Sequence, residues 1–187
     1  MSNYVIYSAK LSSAQSRTVN SLGWEAHIWG PSYLDIKLGF TRSKNKDGNN
    51  NEVMAHLFTL DHFGIYHKGY EIDIDQPELT NFEELEVIFE AGNIHPDHQD
   101  VKRFKKYDRI PSISVGDLAF LDDYSKGWIC QDIGWLELPA ALCEYWSVKN
   151  ITIDRVIRSQ RETELKNHLG ANYKEISIEC SNEELRS

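Results

Sequence analysis

The chain opens with a short apolar run at residues 4–9 (Tyr-Val-Ile-Tyr-Ser-Ala), which reads as a strand. Ser12 or Ser13 then caps a helix running to Leu22, with Leu11, Ala14, Val19 and Leu22 as a thin apolar stripe and Gly23 just past its end. Trp24, Ile28 and Trp29 follow, and Gly30-Pro31 breaks that segment. Over 33–40 the pattern alternates, with Tyr33, Asp35 and Lys37 on one side and Leu34, Ile36 and Leu38 on the other, predicting a half-buried strand. Residues 43–51 form a Gly- and Asn-rich loop. Val53, Met54, Leu57 and Phe58 predict a helix over 51–63.

Residues 70–74 are again a strand, with Ile72 and Ile74 facing one way and Glu71, Asp73 and Asp75 the other. Gln76-Pro77 ends it. Thr80…Glu83 and Asn81…Glu84 both have capping-box spacing, so a helix starts there. Phe82, Leu85, Ile88 and Phe89 form its buried stripe, and Gly92-Asn93 closes it. Beyond Ser112 the pattern shifts to short strands at 112–121, 127–133 and 135–138, with turns at Asp122-Asp123 and Gly134. These connections are too short for crossover helices, so the strands pair antiparallel. Residues 140–146 read as helical turns, and 150–157, 159–169 and 173–180 as strand, helix and strand.

The class is α+β: N-terminal β-α-β elements and an acidic helix, a small antiparallel β-region, and a C-terminal β-α-β-like segment. A main domain over 1–138 and an appendage over 139–187 follow from this order.

Charge changes the picture at one place. The chain has 187 residues and a formal charge of −9, yet residues 71–100 alone hold ten carboxylates and no Lys or Arg. The other 157 residues therefore sum to +1. Directly after this block come Lys102, Arg103, Lys105, Lys106 and Arg109, a basic connector over 101–110. The apolar share of 41% supports a packed core. No apolar run reaches the roughly 20 residues that cross a bilayer, and the first residues lack the pattern of a secretory signal. Three cysteines without Cys-x-x-Cys spacing fit reduced thiols. A cytoplasmic protein with no membrane partner is expected.

Candidate chemistry is sparse. His95-Pro96-Asp97-His98 brings two imidazoles and a carboxylate together, but a zinc site needs three or four ligands and no second cluster has suitable spacing. No Gly-x-Ser-x-Gly elbow, no activated cysteine and no phosphate-cradling Gly-rich loop occurs. Ser114 reads as a strand residue entering a turn at Gly116-Asp117. No catalytic residue and no cofactor are assigned. Basic residues interleaved with Phe104 and Tyr107 could contact phosphates and stack bases, or simply form a solvated connector. The acidic block is either a solvated face or a surface resembling nucleic-acid phosphates. Residues 71, 73 and 75 lie about 7 Å apart along one strand face, on the scale of phosphate spacing.

The run from Asn81 to Asn93 (Asn-Phe-Glu-Glu-Leu-Glu-Val-Ile-Phe-Glu-Ala-Gly-Asn), followed by Ser112-Ile-Ser-Val-Gly-Asp117 and Gly134-Trp135, resembles small accessory proteins of plasmids, integrative elements and phages, including the YodL-like domain. Those proteins carry an acidic helix, then Arg-Ser-x-Ser-Val-Gly-Asp, then a short strand ending in Gly-Phe or Gly-Trp. Pro111 stands here where the arginine is usual, with Arg109 two positions earlier. The resemblance covers about 70–138 and implies a mobile-element setting, in which small proteins often blunt host defences.

The combined expectation is a non-enzymatic interaction protein of anti-CRISPR or antirestriction type. It would bind a nucleic-acid-handling protein of a host defence complex through an acidic face made of Glu71, Asp73, Asp75, Glu83, Glu84, Glu86, Glu90, Asp97 and Asp100. Reversing Glu83, Glu84 and Glu86 to Lys should then abolish binding and leave the fold intact. Two alternatives remain: a nucleic-acid-binding regulator using Lys102, Arg103, Lys105, Lys106 and Arg109, and a small enzyme with a metal or carboxylate site near His95, Asp97 and His98.

Overall fold

A computed structural model describes residues 1–38, 50–94, 96–107 and 110–150, with the backbone alone over 50–52. The loop expected at 43–51 therefore falls largely outside the described residues. So do the elements expected at 150–157, 159–169 and 173–180, together with His95 and Arg109. The chain forms two compact units, Met1–Glu144 and Tyr145–Ser187. The division falls within a helical stretch at 140–150. In the second unit, Asn150 Nδ2 donates to the Trp146 carbonyl at 2.6 Å.

The first unit is built on β1 (Ser2–Ala9), which sits inside a six-stranded antiparallel sheet of order β3-β2-β1-β4-β5-β6. The other strands are β2 (Tyr66–Ile74), β3 (Val101–Lys106), β4 (Leu118–Leu121), β5 (Gly127–Cys130) and β6 (Trp135–Glu137). The helices among the described residues include α1 (Ser13–Leu22), α2 (Gly30–Lys37), α3 (Asn50–His62) and α4 (Asn81–Asn93), with a 3₁₀ turn at Trp24–Ala26. The class is α+β, as the periodicity indicated.

β1 is apolar along most of its length because both of its faces are covered, and its last six residues are all buried. On one face Tyr4 and Ile6 pack with Tyr70, Ile72, Ile74, Ala119 and Trp128 against Leu85 and Ile88 of α4. Each fully buried aliphatic side chain of this kind stabilises by roughly 1.5–3 kcal/mol. A register shift between Ile6 and Tyr7 breaks the strict alternation midway.

Three expectations are corrected. Over its described part the alternating stretch at 33–40 is not a strand: residues 30–37 form α2, so among the described residues β1 is followed by α1, α2 and α3 before the next strand. Pro31 lies in the first turn of α2, where its missing N–H leaves no bond unmade, so Gly30-Pro31 starts a helix as well as ending the segment before it. Ser32 and Ile36, one helical turn apart, are its buried contacts. Second, the strand expected at 112–121 shortens to β4, because Ile113 is buried against α4 and 114–117 form a turn. Third, the connector at 101–110 contains β3, paired antiparallel with β2.

Candidate functional site

β2 and β3 join the acidic and basic segments directly. In their register Glu71 stands opposite Lys105 and Asp73 opposite Arg103. Because side chains alternate across a strand, Glu71 and Asp73 point away from the face where Ile72 and Ile74 meet α4. Arg103 Nε lies 2.8 Å from Asp73, and Lys102 Nζ lies 3.5 Å from Asp75. Glu71 is the centre of this network: Lys68 reaches it at 2.5 Å, Lys105 at 3.4 Å and the Tyr107 hydroxyl at 2.7 Å. Burial alone would raise the Glu71 carboxyl, but the hydrogen bonds from Lys68 and Tyr107, the Lys68 charge and the Lys105 bond outweigh it and hold it at about 2.

Three members of the expected acidic face are thus neutralised within the sheet. The same contacts occupy Lys102, Arg103 and Lys105 of the expected nucleic-acid surface. Lys106 lies on the other side, 5.5 Å from the centre of the Tyr70 ring.

The carboxylates of α4 divide differently. Thr80 caps the helix and Glu83 completes the capping box, accepting the Thr80 N–H at 2.8 Å. That backbone bond is also the main reason the Glu83 carboxyl sits below its ordinary value. Glu84 is turned inward and buried, accepting from the Tyr4 hydroxyl at 2.6 Å. Burial, and then the Glu84 carboxylate, push the Tyr4 hydroxyl well above its usual range. Glu84 therefore leaves the expected surface. Its position on the helix explains this: at 100° per residue it lies beside Leu85, Ile88 and Ala91 on the buried side.

Phe82, Glu83, Glu86 and Glu90 fall within about a third of the circumference on the opposite side, and all four are exposed. Ile94 closes the helix and is also exposed. Among the described residues no cation pairs with Glu83 or Glu86, whereas Glu90 faces His98 Nε2 at 3.3 Å. The nine-residue acidic face is therefore split. Its outward part is Glu83, Glu86, Glu90 and the exposed Asp97.

His98 sits between two carboxylates, with Glu90 at Nε2 and Asp100 Oδ2 3.6 Å from Nδ1. Asp100 in turn accepts from Gln76 Nε2 at 2.7 Å. Among the described residues no group of three or more His, Cys, Asp or Glu is arranged to hold a metal ion. Asp97, exposed in the loop, makes no ion pair with His98.

The Ser-Val-Gly-Asp segment has a structural role that periodicity alone did not reveal. Asp117 is buried, and its carboxylate accepts from the Ala9 N–H at 3.0 Å, the Ser114 N–H at 3.1 Å and Lys37 Nζ at 3.3 Å. It therefore ties the end of β1, its own turn and the end of α2 together. Burial pushes the Asp117 carboxyl up, against the pull of Lys37 and the two backbone donors. Gly116 carries a φ of +87°, and a side chain there would meet Ile36. Lys37 Nζ also donates to Ser114 Oγ at 2.9 Å. A sequence signal for the hub did exist, in a Gly-Asp pair at the mouth of a strand, but its partner Lys37 is 80 residues away.

No protein-family model, no curated protein and no solved structure matches the chain.

Proposed function

We propose that this is an interaction protein of a mobile element that inhibits a host defence complex, engaging a basic surface on a nucleic-acid-handling protein through the outer face of α4. The observation carrying this reading is the sorting of the acidic block. The carboxylates of β2 are matched by cations of β3, whereas among the described residues Glu83 and Glu86 face solvent without a cationic partner, beside exposed Phe82. A row of carboxylates with an aromatic at one end and Ile94 at the other suits a groove with a basic rim and apolar sockets. The defence setting comes from the sequence resemblance alone.

The test is a nuclease-treated pull-down of tagged protein from bacterial lysate that contains intact defence systems, compared with a Glu83→Gln, Glu86→Lys, Glu90→Lys variant. Gln at 83 retains the capping box, so the helix start is preserved. Stoichiometric recovery of a defence subunit that the variant loses supports the proposal. Equal recovery by both proteins removes α4 from it. Binding to nucleic acid through β3 is the second reading, and a salt-sensitive gel shift that the α4 variant leaves unchanged would favour it.

A further inference from the structure

We propose that the outer edge of β3 is a docking site for an extended acidic peptide, which adds to the sheet as a further antiparallel strand. β3 is the last strand on its side of the sheet order. Tyr107 donates its N–H to the Gly69 carbonyl at 3.0 Å, and the pairs Glu71–Lys105 and Asp73–Arg103 follow at two-residue steps. Hydrogen bonding in an antiparallel pair alternates. Arg103 and Lys105 therefore bond inward to β2, while Phe104 and Lys106 turn their backbone N–H and C=O outward. No strand covers those groups among the described residues.

Charge specifies the occupant. β3 is already paired on its inner side with an acidic strand, through Glu71, Asp73 and Asp75. Around that ladder Lys68, Lys102, Arg103 and Lys105 outnumber those three carboxylates four to three, and Lys106 adds a positive charge on the opposite face of β3. Lys102, Arg103 and Lys105 remain more than half exposed even while paired. A second copy of β3 would place cation against cation, which disfavours pairing between copies. Lysines on an edge strand are a general device against self-association. The same charges admit an acidic strand, whose backbone bonds to Phe104 and Lys106 would supply the affinity. This site lies on a different element from the outer face of α4, so either can stand without the other.

Hydrogen–deuterium exchange on the full chain tests it, with two capped hexapeptides as probes, one alternating Val and Glu and the other alternating Val and Lys. Saturating Val-Glu peptide should slow exchange at the Phe104 and Lys106 amides at least about fivefold, and about 0.5 M salt should reverse this by screening. The Val-Lys peptide should leave both amides unchanged. Lys106→Pro removes an outward donor at a position where edge strands tolerate proline, and should abolish the response. Lys106→Glu reverses the local charge and should transfer part of the response to the Val-Lys peptide. Absence of slowing, equal slowing by both peptides, slowing confined to other elements, or strong protection of these amides in the free chain would each overturn the proposal. The last outcome would mean that a second copy or a segment of the chain itself already occupies the edge.

Discussion

Tyr4, in the strand inside the sheet, donates its hydroxyl to the Glu84 carboxylate of α4 at 2.6 Å, and both side chains are buried. The contact joins helix to sheet through one of the residues that the charge pattern assigns to the surface. Tyr4→Phe keeps the ring against Trp128 but strips the carboxylate of this donor, and should cost roughly 2–3 kcal/mol. Glu84→Gln keeps an acceptor and should cost about 1 kcal/mol. Urea unfolding of both single variants and the double gives the coupling energy, and additive effects would show that the bond contributes nothing. Reversing Glu83, Glu84 and Glu86 together to Lys is no longer a clean probe of the surface. A lysine at 84 would bury a charge in the core and should unfold the protein.

Glu71 predicts an acid limb in the stability. Its carboxyl titrates at about 2 in the folded chain, against about 4.3 when unfolded. Because the folded value is the lower one, its stabilisation is complete above the unfolded value and is lost as pH falls from there through about 2. The cations around it are largely exposed, so the contribution is on the order of 1–2 kcal/mol. Denaturant titration should show Glu71→Gln less stable than the parent by that amount at about pH 7, with the gap nearly closed at about pH 2. A gap independent of pH would show that the carboxylate's charge is not what matters.

Asp117 and Lys37 form the most buried ion pair among the described residues, with the carboxylate 1% exposed. Removing one partner leaves the other uncompensated, so Asp117→Ala should cost about 3–5 kcal/mol. Lys37→Met should cost less, roughly 2–3 kcal/mol, because two backbone N–H groups still serve the carboxylate. Thermal unfolding checks the order, and a milder effect for Asp117→Ala than for Lys37→Met would contradict the hub.

Gly30 starts α2 against the 3₁₀ turn. A Cβ there would sit 2.0 Å from the Trp24 carbonyl oxygen, a backbone atom that cannot swing aside. Gly30→Ala should therefore destabilise by roughly 1–3 kcal/mol or more. Gly64→Ala is the control: its Cβ would meet nothing within 4 Å, and only its φ of +66° would oppose the change. Comparable melting temperatures for the parent and Gly30→Ala would mean that α2 can shift.

Much of the architecture was legible in the chain. β1, α1, α3, α4 and the short strands from Leu118 onward follow apolar periodicity and capping residues that act within a few positions. The failure at 33–40 is informative: Leu34, Ile36 and Leu38 alternate over too few residues to exclude a helix, and contacts with α3 decide the outcome. There Ser32 Oγ meets His56 Nδ1 at 3.0 Å and Asp35 lies 3.5 Å from its Nε2. The candidate surface was legible only in part, because a count of carboxylates does not state which way each one points.

By itself the sequence determined an α+β chain with an acidic segment followed at once by a basic one, and a capped helix within the acidic segment carrying an apolar stripe. Those properties are local, set by backbone propensity, side-chain period and covalent order. Only the tertiary structure decided that β3 would lie beside β2, so that Arg103 meets Asp73 and Lys105 meets Glu71 across a strand pair. It also decided that Glu84 faces Tyr4 while Glu83 and Glu86 face solvent. Pairing of charges depends on distance and burial, and residues far apart in the chain acquire both only when the sheet forms.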